Sequence, residues 1–330
     1  EAAMRLIAHN EERFPKKIRA GKSGKQKVRF QYFEDCYKEN AFLAEDIRQT
    51  VQNGVPLSEI AVLFRTNMQP RALMEYMVSA NLAFQTKDRI PDIYEHWIAR
   101  DFFTYIRIAQ GSDSRADFLS IMNRPKRYIG RDSLPDETVC FDEWMKLYEE
   151  QPWIAERIEK LWYDLKHLSR LSPYAAINYI RRGIGYDDYL AEYAEYRNAN
   201  KEDFYEVADE ILASAKGYRT FEEWFAHIEE YRQELKKLAQ EKRRNQNAVT
   251  FATLHSAKGL EFTKVYLIDV NEGVMPYKKA VLKQDVEEER RLFYVGMTRA
   301  KESLTICSVK KMRGKEVELS RFIKEAGKEP

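Results

Sequence analysis

Residues 248–270 read AVTFATLHSAKGLEFTKVYLIDV. Two apolar runs, Val249 to Leu254 and Val265 to Val270, enclose the more polar stretch TLHSAKGLEF at 253–262. Short runs of this kind, rich in β-branched residues and bounded by turn signals, read as strands buried on both faces, as in a covered parallel sheet. Loops at strand ends are where such sheets bind ligands. This one concentrates His255, Lys258, Gly259 and Glu261 at one such end, where a neutral turn would suffice. From spacing alone, a ligand role and ordinary turn capping stay equally open.

Working outward, Ser303 to Cys307 reads as another short strand, preceded by a helix from about Glu287. That helix lies in EEERRLFYVGMTRA at 287–300, where Leu292, Tyr294 and Val295 can anchor it on the sheet and bring Arg299 close to the buried face. An arginine at a helix end compensates the helix dipole, but a guanidinium at an α/β edge is also what a γ-phosphate needs in its transition state. Upstream, Val28 to Phe33 alternates like a half-buried strand, and Ile60-Ala61-Val62-Leu63-Phe64 is a continuous buried run. Between them, residues 40–53 place Phe42, Leu43, Ile47 and Val51 on one helical face, ending at Asn53-Gly54 before Pro56.

The middle differs in texture. From about Ile93 to Asn245 strand alternation gives way to helical stripes, such as Ile154, Ile158, Leu161 and Leu165 with Trp153 and Trp162 beside them. Loops are punctuated by Asn123-Arg124-Pro125, Leu134-Pro135-Asp136, Ser172-Pro173 and Gly183-Ile184-Gly185. The expected architecture is an α/β, parallel-sheet domain split in sequence, residues 1–92 plus 247–330, interrupted by an all-helical insertion at 93–246.

Composition bounds the function. The 330 residues suffice for two domains, and 55 Lys+Arg against 53 Asp+Glu leave a net charge of +2, so any nucleic-acid surface is local. Local excesses exist: residues 1–30 hold nine basic side chains against three acidic ones, and residues 231–245 hold six against two. Taken alone, such runs read as solvated faces or loops. No apolar run approaches the ~18 residues of a membrane span, and the first residues lack a signal peptide's apolar stretch. Cys36, Cys140 and Cys307 are odd in number and far apart, which suits a reducing, cytosolic setting. Residue 1 is Glu, so the chain reads as a piece of something longer. Gly21-Lys22-Ser23 imitates the end of a phosphate loop, but the glycine required five positions earlier is Lys16. Zinc-protease, nucleophile-elbow and clustered metal-ligand spacings are all missing, which argues against hydrolase chemistry complete within the chain.

Several motifs then agree in order and spacing. IAVLFRTNMQPR at 60–71, TLHSAKGLEF, EGVMP at 272–276 and EEERRLFYVGMTRA closely resemble motifs of the UvrD/PcrA/Rep family of superfamily 1 DNA helicases. The likeness covers both α/β portions and, more weakly, the insertion. It implies a RecA-like domain (2A) carrying a helical insertion (2B), from the C-terminal motor half of an ATP-dependent 3′ to 5′ DNA helicase. By the resemblance Arg299 reaches the γ-phosphate of ATP, Glu261 contacts the ribose beside Gly259, and Arg65, Asn67 and His255 contact single-stranded DNA, with Lys258 a phosphate neighbour. In the insertion, Asn123 to Arg131 resembles the family's Gly-Ile-Gly element, whose backbone amides meet duplex phosphates. Lys126, Arg127, Ile129 and Gly130 are its expected DNA contacts, and the four basic residues in 124–131 fit that role. The implied cofactors are ATP and Mg²⁺, bound mainly by an N-terminal motor domain with the phosphate loop. The implied partners are single-stranded DNA, single-strand/duplex junctions, the 1A and 1B domains and repair proteins, in a bacterial cytoplasm at the nucleoid, with no membrane. By itself the chain is expected to be inactive as an ATPase.

Three departures stand out. Tyr128 replaces the first glycine of the Gly-Ile-Gly element, Tyr277 stands where relatives often have a DNA-contacting His, and Thr86-Lys87-Asp88-Arg89 replaces a Gly-rich turn. Two rival readings are a stand-alone DNA- or protein-binding module and the helicase part of a repair helicase-nuclease.

Overall fold

The computed structural model describes residues 1–11, 28–241 and 247–327, with side chains 238–241 excepted. The phosphate-loop imitation at 21–25, most of the N-terminal basic run and the basic residues 242–244 lie outside them. The chain divides into two compact units, Glu1–Pro91 with Tyr231–Pro330, and Asp92–Glu230.

In the first unit, a short helix α1 (Ala2–Ile7) precedes β1 (Arg29–Asp35), α2 (Cys36–Gln52), β2 (Ile60–Phe64), α3 (Arg71–Ser79) and the three-residue β3 (Phe84–Thr86). Asp35 caps α2 by accepting from the Lys38 amide, and the helix stops at Asn53, where Gly54 takes a φ of +93°.

The second unit is built from α4 (Trp97–Ala109), α5 (Arg115–Ile121), α6 (Phe141–Lys146), α7 (Pro152–Leu168), α8 (Pro173–Asn178), α9 (Tyr186–Tyr196) and α10 (Lys201–Ser214). The next helix, α11 (Phe221–Glu241), runs unbroken through the division at Tyr231, whereas the sequence suggests a return to the α/β unit only at residue 247. Asp101, buried on α4, accepts from Arg124 at 2.7 and 2.9 Å and from the Tyr186 hydroxyl at 2.5 Å. Burial pushes its carboxyl pKa up, against the pull of these two donors. The Gly183-Ile184-Gly185 punctuation is more ordered than a plain loop: Tyr179–Gly183 forms a π-helical turn and Gly185, at φ +89°, starts α9.

The remaining elements return to the sheet: β4 (Val249–Thr253), β5 (Phe262–Leu267), α12 (Lys283–Met297), β6 (Ala300–Met312), β7 (Lys315–Glu316) and α13 (Arg321–Glu325). The strand order is β1-β6-β5-β2-β4-β3, every neighbouring pair parallel, with β7 antiparallel on β6. This is the α/β parallel-sheet class expected from the continuous apolar runs. The period of two divides the strand side chains between two faces. Val265 and Leu267 join the cluster under α12 that includes Phe293, Met297 and Leu254. Lys264 and Tyr266 point the other way, where both meet Asp46 of α2 at 2.6 Å. Buried Arg290 ties α12 to α13 and to the chain after α1, through Glu325 at 2.6 and 2.9 Å and Asn10 at 2.6 Å.

Candidate functional site

The parallel order fixes where the motif residues emerge. Phe64 is level with Thr253, and Ile60 with Lys264, so β4 ends at the carboxyl edge of β2 while β5 begins at its amino edge. The loop between β4 and β5 must therefore traverse the height of β2, about 13 Å at ~3.3 Å per residue. This corrects the expectation that His255, Lys258, Gly259 and Glu261 gather at one strand end. His255 lies just past the carboxyl end of β4, Glu261 lies immediately before the amino end of β5, and Lys258 and Gly259 fall between them. All four are exposed, and the side chains of His255, Lys258 and Glu261 make no hydrogen bond or ion pair among the described residues. Gly259 has a φ of +84° and open space where a Cβ would stand, so it is needed for its backbone conformation.

Asp88 holds the start of this loop. Its carboxylate accepts from the Thr253 amide at 2.7 Å, from the Thr253 hydroxyl at 3.2 Å and from the Ser256 hydroxyl. The residue that departs from a Gly-rich turn thus clamps the turn on either side of His255.

At the carboxyl edge, Arg65 follows β2 directly. It is half-buried, forms a forked pair with Glu289 of α12 at 2.8 to 3.1 Å, and lies over the Tyr277 ring at 5.2 Å. Glu289 also accepts from the Tyr277 amide at 3.1 Å. The Arg65 and Thr66 amides converge on Gln69 Oε1 at 2.8 and 2.7 Å. Asn67 keeps its side-chain oxygen buried with no hydrogen-bond partner among the described residues. A buried acceptor without a donor costs about 1–3 kcal/mol and calls for an explanation. Beneath this edge, buried Glu39 and Asp269 face each other, and Asp269 and the Cys36 thiol are 3.7 Å apart. Burial, and then the Asp269 charge, push the Glu39 carboxyl well above the usual carboxylate range.

At the amino edge, Arg299 stands between the end of α12 and the start of β6. Its Nε donates to the Val295 carbonyl at 2.9 Å, Nη1 to the Leu260 carbonyl at 3.0 Å, and Nη2 to the Thr298 hydroxyl at 3.1 Å. The Phe262 amide donates to the Arg299 carbonyl at 2.9 Å. The guanidinium therefore performs the helix-end role and also grips the far end of the His255 loop. Gly296 brings α12 onto that loop from below: a Cβ there would lie 2.3 Å from Leu254 Cδ2.

In the helical unit, the 124–131 segment departs from its expected phosphate contacts. Arg127 is 7% exposed and its guanidinium donates to the Ile121 and Met122 carbonyls at 3.3 and 3.1 Å and to the Tyr105 hydroxyl at 3.1 Å. Arg124 is paired with Asp101, Ile129 is buried, and the amides of Arg127 and Ile129 both donate to Asn123 Oδ1, at 3.2 and 3.1 Å. The Gly130 amide donates to the Tyr148 hydroxyl at 3.2 Å. The amides of Arg127, Ile129 and Gly130 and the Arg127 guanidinium are thus bonded within the helical unit in this conformation. Lys126 and Arg131 stay exposed, Lys126 with Glu192 at 3.4 Å. Asp88 and Glu289 are anchors that spacing does not reveal, since their partners lie 165 and 224 positions away, whereas Gln69 acts locally on the Arg65 and Thr66 amides.

Residues 1–137 and 142–311 match the family described as UvrD-like helicase C-terminal domain. Among curated proteins the chain is 26% identical over 332 residues to the putative ATP-dependent DNA helicase YjcD of Bacillus subtilis, covering 96% of this chain and 43% of that protein. It is 30% identical to ATP-dependent DNA helicase PcrA of Staphylococcus epidermidis, covering 98% of the chain and 47% of that protein. It is 27% identical to ATP-dependent DNA helicase Rep of Salmonella typhimurium, covering 98% of the chain and 52% of that protein. The chain thus spans about half the length of these relatives.

Proposed function

The chain belongs to the UvrD-like helicase C-terminal domain family, and we propose that it supplies the second motor domain, 2A, and the 2B insertion of an ATP-dependent helicase that moves 3′ to 5′ on single-stranded DNA. In this reading a 1A domain with its own phosphate loop completes the motor, and the assembly works on DNA in a bacterial cytoplasm, at the nucleoid and with repair proteins.

The observation that carries the reading is the loop at 254–261, which ties the two edges of the sheet together. At one edge Arg65, Asn67 and His255 face single-stranded DNA, with Lys258 nearby as a phosphate neighbour. At the other, Arg299, Glu261 and Gly259 face a nucleotide held by the neighbouring domain. An exposed acid beside a half-buried arginine fits a contribution in trans to a nucleotide. When bound, ATP with Mg²⁺ would supply the phosphoryl group, and Arg299 would meet its developing charge. The Leu260 carbonyl holds Arg299 Nη1 at 3.0 Å. Turning that nitrogen toward phosphate gives up a bond to the loop, so nucleotide state biases the loop and with it His255. That is a population shift driven by differential contacts. Lys126 and Arg131 provide the exposed charge for duplex phosphates in the insertion.

The test uses the 330-residue chain. It is expected to bind single-stranded DNA in a salt-dependent manner and to leave ATP unhydrolysed, with or without DNA. Robust DNA-stimulated ATP hydrolysis by this chain overturns the reading.

A further inference from the structure

We propose that the helical unit carries a stacking site for an unpaired nucleobase, built from Tyr128, Trp153 and Arg157; the proposal rests on the reading of this chain as a DNA-binding protein. Tyr128 is 64% exposed and Trp153 49% exposed, with ring centroids 6.5 Å apart and planes at 65°. The Arg157 guanidinium lies over both rings, 5.2 Å from the Tyr128 centroid and 4.9 Å from that of Trp153. It is held there by donating to the Arg127 carbonyl at 3.1 Å. Trp153 and Arg157 are four apart on α7 and so share a face. The result is a fixed corner of two aromatic rings and a cation, open to solvent.

Tyr128 also sits at a φ of +59°, a conformation that disfavours a bulky side chain and suits glycine. Asn123 secures that conformation from both sides, accepting from the amides of residues 127 and 129 and donating to the Ile129 carbonyl at 2.8 Å. The ring meets Trp153 and Arg157 yet leaves most of its surface exposed, and with the neighbouring amides already bonded inward, the turn offers a π surface in place of main-chain donors.

The surroundings orient the ligand. Tyr128 lines an open cavity of about 530 Å³ with Lys126, Glu192, Glu195 and Tyr196. The volume is within the range of small-molecule sites. Glu192 and Glu195 repel phosphate but accept from the exocyclic amine of cytosine or adenine, while Lys126 at the rim and exposed Arg131 suit the backbone. Tyr128 is the residue that joins this cavity to the corner it forms with Trp153 and Arg157.

The experiment compares a fluorescent oligo-dC with an abasic strand of equal length and charge. The unaltered chain is expected to bind the base-bearing strand about tenfold more tightly. Tyr128→Gly, which relieves the backbone, and Trp153→Ala should erase that preference while leaving abasic binding unchanged, and Tyr128→Phe should keep it. A preference that survives Tyr128→Gly and Trp153→Ala overturns the stacking site and leaves the DNA reading intact. Absence of binding to either strand overturns the DNA reading itself, and the stacking site with it.

Discussion

Arg65 and Glu289 form a forked ion pair, with Nη2 to Oε1 at 2.8 Å and Nε to Oε2 at 3.0 Å, that fastens the carboxyl edge of β2 to the first half of α12. Gly296, seven residues on and about 10 Å further along the helix axis, packs under Leu254 at the start of the 254–261 loop. The helix that leads to Arg299 at the amino edge is thus anchored at the carboxyl edge of the sheet. Replacing Glu289 by Gln should cost about 1–3 kcal/mol, since it leaves a half-buried guanidinium without its charged acceptor. Urea denaturation checks this, and a loss below 0.5 kcal/mol, the scale of a surface pair, would mean that the pair is worth no more than one.

A second expectation concerns Gly296. Gly296→Ala should destabilise by about 1–3 kcal/mol through overpacking against Leu254. Adding Leu254→Ala should recover part of that loss, which a double-mutant cycle reads as a favourable coupling. Additive losses would show that the helix and loop do not meet here.

Asp88 should order the turn that carries His255. Asp88→Ala removes the acceptor for the Thr253 amide and both hydroxyls, and amide exchange at Thr253 and Ser256 should accelerate by tenfold or more. Unchanged exchange at these two amides would assign the turn to its backbone alone.

The acid pair Glu39 and Asp269 gives a pH dependence of known sign. Burial raises the Glu39 pKa, so the native pair binds a proton that the unfolded chain releases above about pH 4.3. This contribution to stability is complete below the unfolded value and is lost as pH rises toward and through the folded one, at up to ~1.4 kcal/mol per pH unit. Glu39→Gln should flatten the fall in stability as pH rises above about 4.3, as read from denaturation midpoints.

Strand identity was legible where burial is continuous: Ile60 to Phe64 reads as a covered strand and is buried throughout. The alternation of Val28 to Phe33 suits β1, an edge strand paired only with β6. The three residues of β3 are too short to show a period. The insertion of β2 between β4 and β5 leaves no trace in spacing, and it is this order that sends His255 and Glu261 to opposite edges. Trp153 fits a helical stripe yet is half exposed, because one residue of the stripe lies past the rim of the buried face. Arg127 and Lys126 look alike as sequence, but one is consumed by carbonyls of its own turn and the other is exposed. Such fates depend on tertiary partners that composition does not encode.

In the proposed motor, Arg299 meets the γ-phosphate across a domain interface. The decisive measurement is ATP turnover by the two-domain motor, this chain joined to its phosphate-loop domain, with and without Arg299→Ala. Nucleotide affinity should change little while DNA-stimulated kcat falls by about 10³. Undiminished turnover in the Arg299→Ala protein would contradict the account.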